Sequence, residues 1–264
     1  MDRSRVSACS IPLREQSLDH ALRVIAESGF RKVDLLARMP HFSVTDPDYD
    51  LAELERLCDV HGVRIANIGA YCGREACSLD AAVRAAAMEE MNLTFAAARR
   101  LGSRTVRVAP GSGRREEIDT LVPFFQAAAE IAERDQIWLG IENHGTEISG
   151  DPDACLEICE KVGSDHFGIL YEPCNLMATD VDYKTAFHVF KDHIVHVHIK
   201  DGAPNAEGKW ERCMLGDGEI DVRWVYEQVE ALGYSGDYAL EFEVGNIEPA
   251  ETGYPKWFRY WKEL

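Results

Sequence analysis

The sequence predicts an α/β chain closed into a (β/α)8 TIM barrel, with residues 1–264 forming one domain. Three observations point there. Eight short strand-like runs lie along the chain, helical patterns separate them, and 264 residues is an ordinary length for eight such units. Strands separated by helices need crossover connections, and crossovers build a parallel sheet. The alternative is an open doubly wound sheet, but its GxGxxG fingerprint after the first strand is missing.

The elements follow in order. VSAC at 6–9 is the first strand, and Ser17 caps a helix whose Leu18, Ala21, Leu22 and Ile25 share a face, with Gly29 as its stop. KVDLL at 32–36 is the second strand, and Asp50 with Glu53 reads as a capping box ahead of Leu54 and Leu57. VRIANIG at 63–69 precedes a long Ala-rich helix over 78–102, and RTVRVA at 104–109 precedes another over 115–135. IWLGIE at 137–142 is the fifth strand, and Asp151 before Pro152 marks the next helix start. FGILYE at 167–172, IVHVHI at 194–199 and YALEFE at 238–243 complete the strands. The last helices are predicted in TAFHVFKD, RWVYEQVEALG and YPKWFRYWKEL. In the tail, Trp257 and Trp261 suit packing on the barrel, or the interface of a homo-oligomer; the first reading is preferred.

The 28 basic residues against 46 acidic ones give a formal charge of −18. That balance disfavours nucleic acid and anionic membrane surfaces as partners. The opening MDRSRVSACSIPLREQ holds no apolar core of signal-peptide length, and no apolar run would span a bilayer, so a cytoplasmic location is expected. The eight cysteines include no CxxC pair and read as small buried hydrophobes, though Cys72 and Cys77 around GREA suggest a weaker metal alternative. GSGRRE at 111–116 could cradle an anion with its amides; a simple turn is the preferred reading.

The chemistry collects at the strand ends, where a barrel of this kind carries its active site. Glu142 ends the fifth strand, Glu172 the sixth, His198 lies beside the end of the seventh, and Glu241 and Glu243 close the eighth. Strand side chains alternate. In IVHVHIKD that places Val195, Val197 and Ile199 toward the helices and turns His196, His198 and Lys200 inward. Three carboxylates and an imidazole at one mouth need a cation among them. The set suits one divalent ion, Mn²⁺ first, with Mg²⁺, Co²⁺ or Zn²⁺ also compatible. A buried salt-bridge network using Lys200 and Arg107 is the competing reading.

IENHG, YEPCNL, HVHIKDG, LGDGEID and ALEFE, in this order, resemble the sugar phosphate isomerase/epimerase family of xylose-isomerase-like barrels. Its members include ketohexose 3-epimerases, hydroxypyruvate isomerases, inosose dehydratases and endonuclease IV. The resemblance implies that Glu142, Glu172, His198 and Glu241 are the metal ligands. Glu172 departs from the family pattern, where an aspartate stands in a DPxN-like motif.

The activity so implied is isomerisation or epimerisation of a sugar or small hydroxy-carbonyl compound through a metal-stabilised enediolate. Glu142 and Glu241 would remove and return the proton, as in the family's epimerases. His144, Asn175, Lys200, Arg107 and Asp34 are the candidate substrate contacts, with a salt bridge the equal alternative for Lys200. His196, deeper in the barrel, reads as a packed, hydrogen-bonded histidine. A lyase or dehydratase acting on a keto-sugar, keto-glycoside or inosose is the nearest rival. An endonuclease IV-like DNA repair enzyme is disfavoured by the charge and by the single ligand set, and a silent binding barrel by the two acid/base glutamates.

Overall fold

The computed structural model describes residues 4–264. Eight parallel strands close a barrel: β1 (Val6–Cys9), β2 (Lys32–Leu36), β3 (Arg64–Gly69), β4 (Thr105–Val108), β5 (Trp138–Glu142), β6 (Phe167–Tyr171), β7 (Ile194–Ile199) and, after a hairpin, β10 (Tyr238–Leu240). β10 pairs with both β7 and β1 and so closes the ring, which excludes the open doubly wound sheet. Around it run α1 (Leu18–Glu27), α2 (Leu51–His61), α3 (Ala81–Leu101), α4 (Ile118–Asp135), α5 (Pro152–Val162), α6 (Pro173–Met177), α7 (Tyr183–Phe190), α8 (Val222–Ala231) and α9 (Ala250–Glu263).

Helix starts are set by side chains that satisfy amides with no partner inside the helix. Ser17 accepts from the amide of His20, Asp50 from Ala52, Asp151 from Asp153 and Asp221 from Trp224. The capping box read at Asp50 is only half formed. Glu53 does not reach back to the Asp50 amide; its carboxylate pairs with Arg56 at 2.7 Å, where a guanidinium offers two donors. The tail helix begins at Ala250, earlier than its sequence pattern suggested, and Trp257 and Trp261 are 1% and 0% exposed. They pack inside this one chain, as the preferred reading of the tail had it. No helix among the described residues is long and apolar enough to cross a membrane.

Strand parity holds for Val197 and Ile199 but not for Val195. The β6–β7 register shifts between Ile169 and Leu170, and the Val195 methyls lie where side chains on Gly140 and Gly168 would stand, 3.2 and 2.9 Å from their ideal Cβ positions. Those two glycines pair across β5 and β6, on the face that carries Glu142. Val195 therefore fills the barrel floor instead of facing the helices.

A second departure is the antiparallel hairpin β8 (Asp201–Pro204) and β9 (Trp210–Cys213), which the sequence reading did not identify. It follows β7 directly. Asp201 anchors the loop beyond it: its carboxylate accepts from the amides of Gly216, Gly218 and Ile220 at 2.9–3.1 Å. A side chain on Gly218 would stand 2.1 Å from that carboxylate, which accounts for the glycine in LGDGEID.

His41 ties the β1 and β2 loops together. Its Nε2 donates to the Leu13 carbonyl at 3.0 Å, and its Nδ1 lies 3.0 Å from Ser10 Oγ, which itself accepts from the Leu36 amide. Burial lowers the His41 pKa, with the Leu13 carbonyl opposing. The neutral ring is thus the folded form, and the unfolded chain binds the extra proton first. Stability should hold above the ordinary histidine pKa of about 6.5 and fall as pH drops through it. Urea unfolding of wild type and His41→Gln between about pH 7 and about pH 5 should show a shallower pH dependence in the variant. His41→Ala should cost about 1–3 kcal/mol at neutral pH, because Ser10 and Leu13 lose their partner.

Candidate metal and substrate site

The site rests on a chain of hydrogen bonds across the barrel interior. Thr105 Oγ1 donates to Asn67 Oδ1 at 2.7 Å, and the Asn67 amide donates to both oxygens of Asp34 at 2.9 Å. Asp34 Oδ2 in turn faces His196 Nε2 at 2.9 Å and His198 Nε2 at 3.0 Å. Burial would raise the Asp34 pKa, but the charge of His198 and the hydrogen bonds of both histidines hold it well below the usual carboxylate range. Burial would lower the His198 pKa, but Asp34 and Glu241 raise it well above the ordinary value, and the Asp34 carboxylate holds the proton on Nε2.

The other ring nitrogen is then turned toward the mouth. His198 Nδ1 is buried and has no hydrogen-bond partner. Glu142 Oε1 stands 3.2 Å from it and Glu241 Oε2 3.5 Å from it. Arg107 Nε holds the other Glu142 oxygen at 2.7 Å, and the Arg107 guanidinium rests over the Tyr71 ring at 4.3 Å. Burial pushes the Glu142 pKa up, yet Arg107 outweighs it and the carboxyl titrates below its ordinary value. For Glu241, Lys200 and His198 overcome burial in the same way, and the pKa falls well below the usual range. Both glutamates are therefore ionised at neutral pH.

Lys200 occupies the centre of the remaining acids. Its Nζ lies 2.6 Å from Glu241, 2.8 Å from Glu243 and 3.7 Å from Glu172. Arg212 of the hairpin reaches Glu243 at 3.0 Å, and Trp210 Nε1 donates to Cys174 Sγ at 3.3 Å, docking β9 against the start of α6. Glu172 is the candidate ligand with the most altered surroundings. Its carboxylate caps α6 by accepting from the amides of Cys174 and Asn175. Burial is the main cause that pushes its pKa up to about 7, against the pull of Lys200.

The other candidates fall into two groups. His144 and Arg107 line a cavity of about 670 Å³ together with Glu142 and Tyr71. His144 Nδ1 accepts from the Gly145 amide at 3.0 Å, so its proton sits on Nε2. Asn175 and Asp34 are engaged elsewhere: Asn175 Nδ2 donates to the Asn143 carbonyl at 3.0 Å, and Asp34 lies beneath the histidines instead of facing the mouth. Sequence reasoning passed over Asn67, Tyr71, Asn143 and Cys9. The Cys9 thiol groups with His198 and Glu241, their donor atoms within 4.8 Å of one another. Inward parity on β1 and β3 was the available signal for Cys9 and Asn67. All eight cysteines are free, six of them buried, and Cys72 and Cys77 join no metal-type cluster among the described residues.

The donor set fits a divalent cation. An unpartnered, buried imidazole nitrogen faces two ionised carboxylates, and its opposite nitrogen is hydrogen-bonded to a third, an arrangement typical of metal-ligating histidine.

Comparison with known proteins agrees with this architecture. The chain is 26% identical over 264 residues to an L-ribulose 3-epimerase of Mesorhizobium japonicum, covering 95% of this chain and 83% of that protein. It is 27% identical over 173 residues to the L-ribulose-5-phosphate 3-epimerase UlaE of Escherichia coli O157:H7, an alignment that covers 62% of this chain and 58% of that protein. Among solved structures, a xylose isomerase-like TIM barrel protein from Mycobacterium smegmatis in complex with magnesium superposes with a TM-score of 0.80 at 14% identity, covering 98% of this chain and 95% of that one. The family model described as xylose isomerase-like TIM barrel matches residues 22–264, and the chain belongs to that family.

Proposed function

We propose that the protein is a divalent-metal-dependent epimerase or isomerase of a ketose, with Glu142 and Glu241 as the proton-transferring pair. The observation that carries this reading is the buried Nδ1 of His198, which has no hydrogen-bond partner and stands between two ionised glutamates. Both curated relatives named above are sugar 3-epimerases, which supports the same class. His198, Glu142 and Glu241 would hold the ion, with Glu172 joining them by giving up part of its hold on the α6 amides. When bound, the ion would act as a Lewis acid on the substrate carbonyl and make the neighbouring C–H acidic.

The protein groups supply the rest. Glu142 and Glu241 come from β5 and from the residues after β10, on different sides of His198, so they address different faces of one substrate carbon. One carboxylate takes the proton and the other returns one to the opposite face, which inverts that carbon. Both are weak bases, since Arg107 and Lys200 depress their pKa values. Arg107 and Lys200 also fix their orientation, and orientation is where much of the rate of such a transfer comes from. His144 offers an Nε2 proton to a substrate hydroxyl. Thr105, Asn67 and Asp34 hold the His198 ring in one orientation.

Four outcomes test the reading. Purified protein should contain about one divalent ion per chain by elemental analysis, and chelation should abolish solvent deuterium exchange into a ketose in a way that added Mn²⁺ restores. Glu142→Gln and Glu241→Gln should each lose that exchange while binding substrate; full exchange in both variants would sink the two-glutamate mechanism. Product mass should stay unchanged, since loss of water or of an aglycone would mark a lyase. Asp34→Asn should weaken metal affinity by about 10–100-fold in chelator competition, as removal of a carboxylate behind a ligating histidine does.

A further inference from the structure

The two relatives differ in whether the sugar they are named for carries a phosphate, and the cavity beside Glu142 bears on that choice. Its outer wall is the loop between β4 and α4, from Pro110 to Gly113, with Glu117 behind it. This is the GSGRRE stretch, the one segment of the sequence with the glycines and basic residues of an anion cradle. The cradle is already filled. Glu117 Oε2 accepts from the Ser112 amide at 3.0 Å, and Oε1 accepts from Ser112 Oγ at 2.9 Å and from Arg114 Nη2 at 2.8 Å. Gly111 permits this, since a side chain there would stand 2.8 Å from Glu117 Oε2. Glu117 is 7% exposed, and Arg114 and Ser112 overcome burial to keep its pKa below the ordinary glutamate value.

The basic residues of this loop and of the metal-type cluster are already paired. Arg114 also pairs with Glu116, and Arg115 is spent on Asp151 and Glu157. Arg107 holds Glu142, and Lys200 holds Glu241 and Glu243. Of the two cations that line the cavity, Arg74 is the one outside an ion pair; it lies over Tyr71 at 5.3 Å and shares the wall with the acidic Glu75.

We infer that Glu117 is a specificity-determining residue, an internal anion seated where a substrate phosphate would go, and that the substrate is a neutral, unphosphorylated ketose. This inference rests on the ketose reading above. A phosphate entering the cavity meets a fixed carboxylate in the loop cradle, with Arg74 beside Glu75 as the one unpaired cation of the wall, and juxtaposed like charges oppose binding. A polyol meets His144 and the hydroxyls and carbonyls of the loops, which suit hydrogen bonding without charge.

The test compares L-ribulose with L-ribulose 5-phosphate on the metal-loaded protein. Wild type should favour the free sugar by about tenfold or more in kcat/KM, the discrimination expected of like-charge repulsion. Glu117→Gln keeps the size of the side chain and removes the charge. It should lower that ratio at least about threefold, through KM for the phosphorylated sugar, and should make inorganic phosphate a competitive inhibitor. Equal or better turnover of the phosphorylated sugar by wild type overturns the inference, as does an unchanged ratio in a folded Glu117→Gln. If the variant fails to fold, the wild-type ratio decides alone. If wild type exchanges neither sugar, the ketose reading has failed, and calorimetry with inorganic phosphate decides the role of Glu117. Wild-type binding at about millimolar concentration would then overturn that role, and its absence would support it.

Discussion

The carboxylate of Asp34 is the interaction on which the rest of the site depends. It lies inside the barrel, 3% exposed, and survives there ionised because four hydrogen bonds converge on it, two from Asn67 and one from each of two histidines. Its negative charge holds the Nε2 side of His198, and hence turns Nδ1 toward Glu142 and Glu241. The chain of donors behind it, from Thr105 through Asn67, runs from β4 to β3 to β2 and reaches β7 across the ring. A single buried acid thereby couples four strands to one imidazole orientation. An apolar residue at this position would leave two buried imidazoles without acceptors and the site without direction.

Above that floor, charge balance is achieved pairwise. Glu142 is matched by Arg107, Glu241 and Glu243 by Lys200, with Arg212 adding to the last. Glu172 departs from this pattern. It is fully buried, draws on two helix amides, and faces Lys200 only at 3.7 Å. The extra methylene relative to aspartate lets its carboxylate fold back onto the first turn of α6, where the helix dipole favours a negative group. That is a physical account of how a longer acid is tolerated at this strand end.

The strands were legible because each is a short β-branched run with helical periodicity on both sides, a pattern that only crossover connections satisfy. His198 and Lys200 were legible from parity, and Glu142 and Glu241 from their places at strand ends. Parity failed at Val195, where a register shift breaks the period of two, and no local property of IVHVHIKD announces it; the space it fills is left by Gly140 on β5 and Gly168 on β6. The hairpin Asp201–Cys213 was missed because its strands are polar and short, held by backbone pairing and by Trp210 docking on Cys174. Asp34 and Asn175 carried the right chemistry for a substrate contact, and which partners they meet is decided by residues distant in sequence. Such pairings are invisible to spacing.

Lys200 has a consequence for the order in which the protein is assembled. A mouth lined by Glu172, Glu241 and Glu243 would repel itself during folding if its cation had to arrive from solution. The chain carries an ammonium at that point, on the strand next to the acids it balances, so the barrel closes around charges that are already compensated. A barrel balanced in this way would not need a metal in order to fold, unlike small domains whose fold depends on the metal itself. An ion held as proposed above would then bind late, and exchange, without the barrel coming apart.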